Sequence, residues 1–205
     1  MAEDNDVNLL PPVDVALDAR AVMGSIDLDP WSSPDQNLLV QSARYYNRHQ
    51  ESVDDICAQD WTSRGENRVF MVGIRAKDTR RMMHKLLREY RVGRVKEAIV
   101  WIQNNETLAR LPWLWNFPIC IPFKRLRPCW RNDDINQFRN FSPAVWSFVA
   151  YLPPTESAAE YQSKLARFSA VFSDKGRIIL AEDAGSDEWE KGYTANTGHA
   201  FNYRG

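Results

Sequence analysis

Two carboxylates, two prolines and two serines fall within eight residues at Asp27-Leu28-Asp29-Pro30-Trp31-Ser32-Ser33-Pro34. Backbone N–H groups at a helix start can hold a carboxylate or phosphate, and an acid beside them can accept from a ribose or an amino group. The same residues also make an ordinary turn from strand to helix, and spacing alone leaves both readings open. A second concentration of chemistry is cationic. From Arg75 to Lys96, nine basic residues (Arg75, Lys77, Arg80, Arg81, Lys85, Arg88, Arg91, Arg94, Lys96) stand against two acids, Asp78 and Glu89. That density can track a phosphate backbone, or it can be a solvated or intersubunit face. A third group, Lys124, Arg125 and Arg127 with Trp130 and Arg131, interleaves cations with aromatic rings, as grooves for single strands or flipped bases do. Trp101, Trp113, Trp115 and Trp130 read as core or interface anchors, which makes 101–130 the expected contact region for a protein partner or a second copy.

Other site chemistry is sparse. His49, His84 and His199 lie far apart, and no zinc-ligand pattern includes them, so no metal is expected. Cys57, Cys120 and Cys129 are an odd number without metal-ligand spacing and read as small buried hydrophobes in a reducing compartment.

The elements that must position these groups come from the patterning of the 205 residues. A helix is expected over 13–23, with Val13, Leu17, Ala21 and Val22 on its apolar side and Gly24 as its stop. Ile26 to Leu28 reads as a short strand. Ser33 with Pro34 and Gln36 is a helix start, and that helix is expected to reach about Tyr46, burying Leu38, Leu39 and Ser42. Arg68 to Gly73 is a second strand. Lys77 to Arg91 is an amphipathic helix with a Met82/Met83/Leu86/Leu87/Tyr90 stripe. Ala98 to Ile102 and Val145 to Tyr151 are further strands, separated by an irregular Trp-, Pro- and Arg-rich stretch over 103–142. Ser157 and Glu160 open a last helix, and Arg177 to Ala181 closes the pattern as a strand. The acidic first ten residues are expected to fray, residues 11–181 to form one domain, and 182–205 to be a loose polar tail.

Helices and continuous apolar strands alternate, which predicts an α/β fold: a mostly parallel sheet with helices on both faces and its ligand at the carboxyl ends of the strands. No run of about 18 apolar residues suggests a membrane span, and no apolar leader is visible, so a cytoplasmic protein is expected. The formal net charge of −1 conceals zones: −9 over residues 1–60, +10 over 61–150 and −2 over 151–205. A basic middle fits a polyanion, or the chain's own acidic segments.

The segment ALDARAVMGSIDLDPWSSPDQNLLVQSARYYN (16–47) resembles the opening of the phage-type DNA adenine-N6 methyltransferase (Dam-like) family: a helix, a Gly, an IDLDPxS turn, an Asn-containing helix and a YY or YF pair. The likeness continues through Trp61, a short strand, a basic helix ending in Gly and a strand of the EAIVWI type. It runs on to a Cys-Pro-rich loop, a strand after Phe141-Ser142-Pro143 and an F-x-x-x-G-RIIL close, covering roughly 11–181. The resemblance implies a Rossmann-like methyltransferase sheet, mostly parallel with one antiparallel strand near its end. It implies S-adenosylmethionine as cofactor, beside Asp27, Asp29, Pro30 and Ser32.

One part of the pattern is missing. The family carries Asn/Asp-Pro-Pro-Tyr directly after the strand matching Val69-Phe70-Met71. There a side-chain oxygen and a proline carbonyl accept from the adenine amino group while the aromatic ring stacks on the flipped base. This chain reads Val72-Gly73-Ile74-Arg75-Ala76 instead. Tyr151-Leu152-Pro153-Pro154 has the proline pair without a preceding Asn or Asp. The expectation is therefore a catalytically silent, methyltransferase-like protein acting as a binding or assembly factor. Nucleic acid would meet it through Arg75, Lys77, Arg80, Arg81, Lys85, Arg88, Lys124, Arg125 and Arg127. The rival expectations are an active adenine methyltransferase with an unusual acceptor site, and a structural subunit of a larger assembly.

Overall fold

The computed structural model describes residues 9–73, 76–132, 137–140, 142–143 and 145–180. The expectations for residues 1–8, for Arg75 and for the tail from 182 fall outside them. Helix α1 (Val13–Met23) ends at Gly24, whose φ of 87° is left-handed and suits a residue without a side chain. Strand β1 (Leu28–Ser32), helix α2 (Pro34–Val40), strand β2 (Arg44–Asn47) and helix α3 (Val53–Ala58) follow. Then come β3 (Arg68–Gly73), α4 (Ala76–Arg91), β4 (Glu97–Ile102), α5 (Glu106–Arg110) and a 3-10 turn over Pro112–Asn116. Strand β5 (Ile119–Pro122), the hairpin β6 (Cys129–Asn132) and β7 (Gln137–Asn140), β8 (Phe148–Leu152), α6 (Ala158–Phe172) and β9 (Gly176–Ile179) complete the described chain.

Among the described residues the main sheet has seven strands in the order β2-β1-β3-β4-β8-β5-β9. Strands β1 to β4 are mutually parallel. β8 opposes β4, β5 opposes β8 and β9 opposes β5. Two strands, β8 and β9, therefore run against the rest, where one was expected. The architecture is a mixed α/β sheet flanked by helices, compatible with a Rossmann-like fold.

Strand alternation divides the core in two. Val69, Met71, Val100 and Ile102 face the stripe of α4, where Met82, Met83, Leu86 and Leu87 are buried. Phe70, Val72, Ile99 and Trp101 face α1 and α6, meeting Val15, Ala19, Phe168 and Phe172. With both faces covered, the central strands need apolar residues at every position, which is why β3, β4 and β8 read as unbroken runs.

Several local expectations are corrected. β1 runs through Asp29-Pro30-Trp31-Ser32 instead of stopping at Leu28, so the eight-residue turn is mostly strand. α1 buries Val15, Ala16, Ala19, Val22 and Met23, while Leu17 is exposed. α2 stops at Val40, and Leu38 is exposed. Its end is set by Asn37, whose Oδ1 accepts from the Ser42 N–H at 2.9 Å and the Ser42 hydroxyl at 2.6 Å, with Gln41 left-handed between them. Tyr45 and Tyr46 then belong to β2. The described residues of 103–142 contain three strands where an irregular stretch was expected, because short pairs such as Cys129–Asn132 with Gln137–Asn140 carry too few residues to show a period in sequence. Leu9 and Leu10 are buried, and Leu10 exchanges backbone hydrogen bonds with Cys129, so these two residues do not fray.

Candidate functional site

Because β2 lies on one side of β1 and β3 on the other, the chain reverses its lateral direction between β1 and β3. In open α/β sheets, ligands sit at the carboxyl ends of the strands flanking such a reversal. Ser32 and Gly73 are those ends here.

The first group predicted from sequence does not gather at one place. Ser32 lies at the carboxyl end, buried, with its hydroxyl 3.4 Å from the Ser33 carbonyl. Ser33 caps α2, accepting from the Gln36 N–H at 3.1 Å. Asp29 is fully buried, and its Oδ2 accepts from Gln36 Nε2 at 2.7 Å. Gln36 Oε1 in turn accepts from Arg48 Nη1 at 2.7 Å, and Arg48 Nη2 donates to the Leu9 carbonyl at 3.1 Å. Burial pushes the Asp29 carboxyl up to about 6, against the opposing hydrogen bonds from Gln36, Ser32 and Trp31 and the charge of Arg48. Pro30 is buried within the strand. Asp27 stands at the other end of β1, five residues and roughly 16 Å of extended chain from Ser32. It accepts from the Asn67 and Arg68 N–H groups and is clamped by the Arg68 guanidinium at 2.8 Å. Burial disfavours its charge, but Arg68 and those N–H groups outweigh it and hold the carboxyl below its ordinary value.

Val72 and Gly73, the described part of the segment the resemblance sets in the acceptor's place, are core. Val72 is buried against the α1/α6 side, and both Val72 and Gly73 are still paired in register with Trp101 and Ile102. A Cβ on Gly73 would come within 2.7 Å of Thr79 Cγ2 and 3.2 Å of Ile102 Cγ1. This strand end is tightly filled.

The cations divide into two kinds. On α4, Lys77 and Arg80 are exposed, but Arg81 pairs with Asp54. Lys85 is buried, 2.9 Å from Glu89 and 2.9 Å from the Gln59 carbonyl, with its ammonium over the Trp61 ring. Arg88 and Arg94 also lie against Glu89. Burial opposes charge on Glu89, yet Arg94 and Lys85 keep its carboxyl below the ordinary range. Much of the helix's positive charge is thus met by this protein's own acids. The loop after β5 differs. β5 runs with the parallel strands, so its carboxyl end releases Phe123 to Pro128 at the same end of the sheet as Ser32 and Gly73. Lys124, Arg125 and Arg127 are exposed, and none forms an ion pair among the described residues. Arg125 donates to the Pro143 carbonyl at 3.3 Å and lies 6.0 Å from the Trp146 ring centroid.

Sequence reasoning missed Gln36 and Arg48 as the partners of Asp29. Gln36 was legible as the third residue after a Ser cap, but its amide turns inward to the carboxylate instead of back to the cap. Arg48 carried no signal, since the contact depends on β2 lying beside β1. Among the described residues no helix is long and apolar enough to cross a membrane. No family model, no curated protein and no solved structure matches this chain.

Proposed function

We propose that this chain is a non-catalytic binding protein with a methyltransferase-like ancestry, and that it holds nucleic acid at the carboxyl end of its sheet. The resemblance over roughly 11–181 supports the ancestry, as does a reversed strand wedged between β4 and β5. The observation that carries the loss of catalysis is the end of β3. Val72 and Gly73, which stand where the family begins its Asn/Asp-Pro-Pro-Tyr motif, are packed into the core and themselves carry no side-chain oxygen to take an adenine amino group. S-adenosylmethionine does not fit the four residues implied for it. Asp29, Pro30 and Ser32 are buried, and the Asp29 and Asp27 carboxylates, both near the amino end of β1, are already engaged by Gln36 and Arg68. The unpaired cations of the loop after β5 favour a polyanion as partner.

Two measurements test this. Tritiated methyl transfer from S-adenosylmethionine to adenine-containing DNA should not exceed a no-protein control, and calorimetric titration with S-adenosylhomocysteine should give no binding heat. Transfer that disappears in Asp29→Ala would establish an active enzyme with an unusual acceptor site. A second reading, a subunit of a protein assembly, is favoured by the exposed Trp115 on the 3-10 turn. Stoichiometric co-purification of a protein that resists nuclease treatment and is lost in Trp115→Ala would select it.

A further inference from the structure

The loop after β5 carries one exposed aromatic ring, Phe123, and the segment that Arg125 reaches carries another, Trp146. Phe123, immediately after β5, is 67% exposed, and Trp146, two residues before β8, is 40% exposed. Trp130, on β6, is also 40% exposed. β8 runs against β5, so its amino end and the carboxyl end of β5 lie on one edge of the molecule. The Arg125 contacts to Pro143 and Trp146 tie the two segments together. Large aromatic rings are ordinarily withdrawn from water, and leaving Phe123 and Trp146 exposed beside Lys124 and Arg125 costs solvation that a folded core does not repay.

We infer that this edge is a stacking platform for single-stranded nucleic acid: bases lie on Phe123 and Trp146 while Lys124, Arg125 and Arg127 meet the phosphates. This rests on nucleic acid being the partner and specifies its form. A duplex keeps its base faces covered by their neighbours and can meet only the cations, whereas a single strand satisfies rings and cations together. An acidic peptide would answer the charge but leave the ring faces bare. Stacking needs no base-specific hydrogen bond, so binding should tolerate sequence.

The experiment measures binding, by fluorescence anisotropy at fixed low salt, to three oligomers of one length: a mixed-sequence single strand, its duplex, and an abasic strand with the same phosphates. The single strand should bind roughly tenfold or more tightly than the abasic strand, and tighter than the duplex. Phe123→Ala and Trp146→Ala should each weaken single-strand binding by at least about fivefold and leave abasic binding unchanged. Both rings are outside the core, and an unchanged melting midpoint confirms that the variants fold. Equal binding to the single strand and the abasic strand would overturn the stacking platform while leaving nucleic acid as partner. Binding to none of the three would overturn both.

Discussion

At the scale of single residues, the two aspartates of the IDLDP segment have opposite physical characters. Asp29 is a carboxyl taken out of water, and its folded-state value of about 6 lies above the unfolded one. The folded protein therefore keeps that proton between about pH 4 and 6, while the unfolded chain releases it. Its unfavourable contribution is absent below that window, grows as pH rises through it and is complete above about 6. A gap of about two pH units corresponds to roughly 3 kcal/mol. Asp29→Asn should accordingly gain stability relative to the wild type as pH goes from 5 to 7. Paired thermal melts check this, and a difference that stays flat with pH would show that Asp29 does not titrate in the folded protein. Asp27 has the reverse sign. Its lowered value makes its contribution favourable above the unfolded range, and lost as pH falls through the folded one. Asp27→Asn should cost about 1–3 kcal/mol, because the guanidinium of Arg68 loses its counter-charge. It should leave nucleic-acid affinity unchanged, since Asp27 stands at the far end of β1. Equilibrium urea unfolding beside a binding titration reads both quantities.

At the scale of elements, a buried cluster joins four of them. Glu97 on β4 accepts from the Tyr151 hydroxyl of β8 at 2.7 Å and from Lys164 Nζ of α6 at 2.9 Å. The same ammonium lies 3.4 and 3.5 Å from the Val22 and Met23 carbonyls at the end of α1. It therefore answers both a buried carboxylate and the open end of a helix. Lys164→Met should destabilise by about 3 kcal/mol, the range for removing one partner of a buried pair. Glu97→Gln in the Lys164→Met background should restore part of that, and a chemical-denaturation double-mutant cycle measures the coupling. None of this cluster was legible in sequence, because it requires β8 to be placed between β4 and β5. What was legible follows a rule. β3, α4 and α6 were read to within a residue or two, because a buried run or a long apolar stripe leaves a strong local period. β1 was misread because its most informative residues, Asp29 and Pro30, are poor strand formers held there by pairing with β2 and by Gln36. The basic helix was legible as a helix, and of the two partners its charge allows, a polyanion or the chain's own acidic segments, the second takes up part of it. Arg81, Lys85 and Arg88 of the helix, with Arg94 beyond its end, share two carboxylates, Asp54 and Glu89, of which Asp54 lies 27 residues from Arg81 along the chain.

At the scale of the whole molecule, positive charge is partly offset where its sequence density is highest. The zone from 61 to 150 carries a net +10, and the acidic first 60 residues supply Asp54 to α4 and Asp35 to Arg131 of β6. Internal pairing thus offsets part of the charge on α4, whereas the three cations of the loop after β5 form no ion pair among the described residues. Counterion release turns this distribution into a measurement, since the log–log dependence of affinity on salt reports how many phosphates are neutralised. For single strands each contact contributes about −0.7 to that slope. Lys124→Ala, Arg125→Ala and Arg127→Ala combined should therefore flatten the slope by about two. Arg80→Ala with Arg81→Ala should change it by less than one contact's worth, about 0.7, because Arg81 already has a carboxylate partner and its removal frees Asp54 to repel phosphate. That repulsion weakens affinity without a matching loss of slope, so slope and affinity must be read together. A larger change of slope from the helix pair than from the loop triple would place the phosphates on α4. The unpaired Lys77 and Arg80 would then be their contacts, and the platform at the β5 edge would have to act without them.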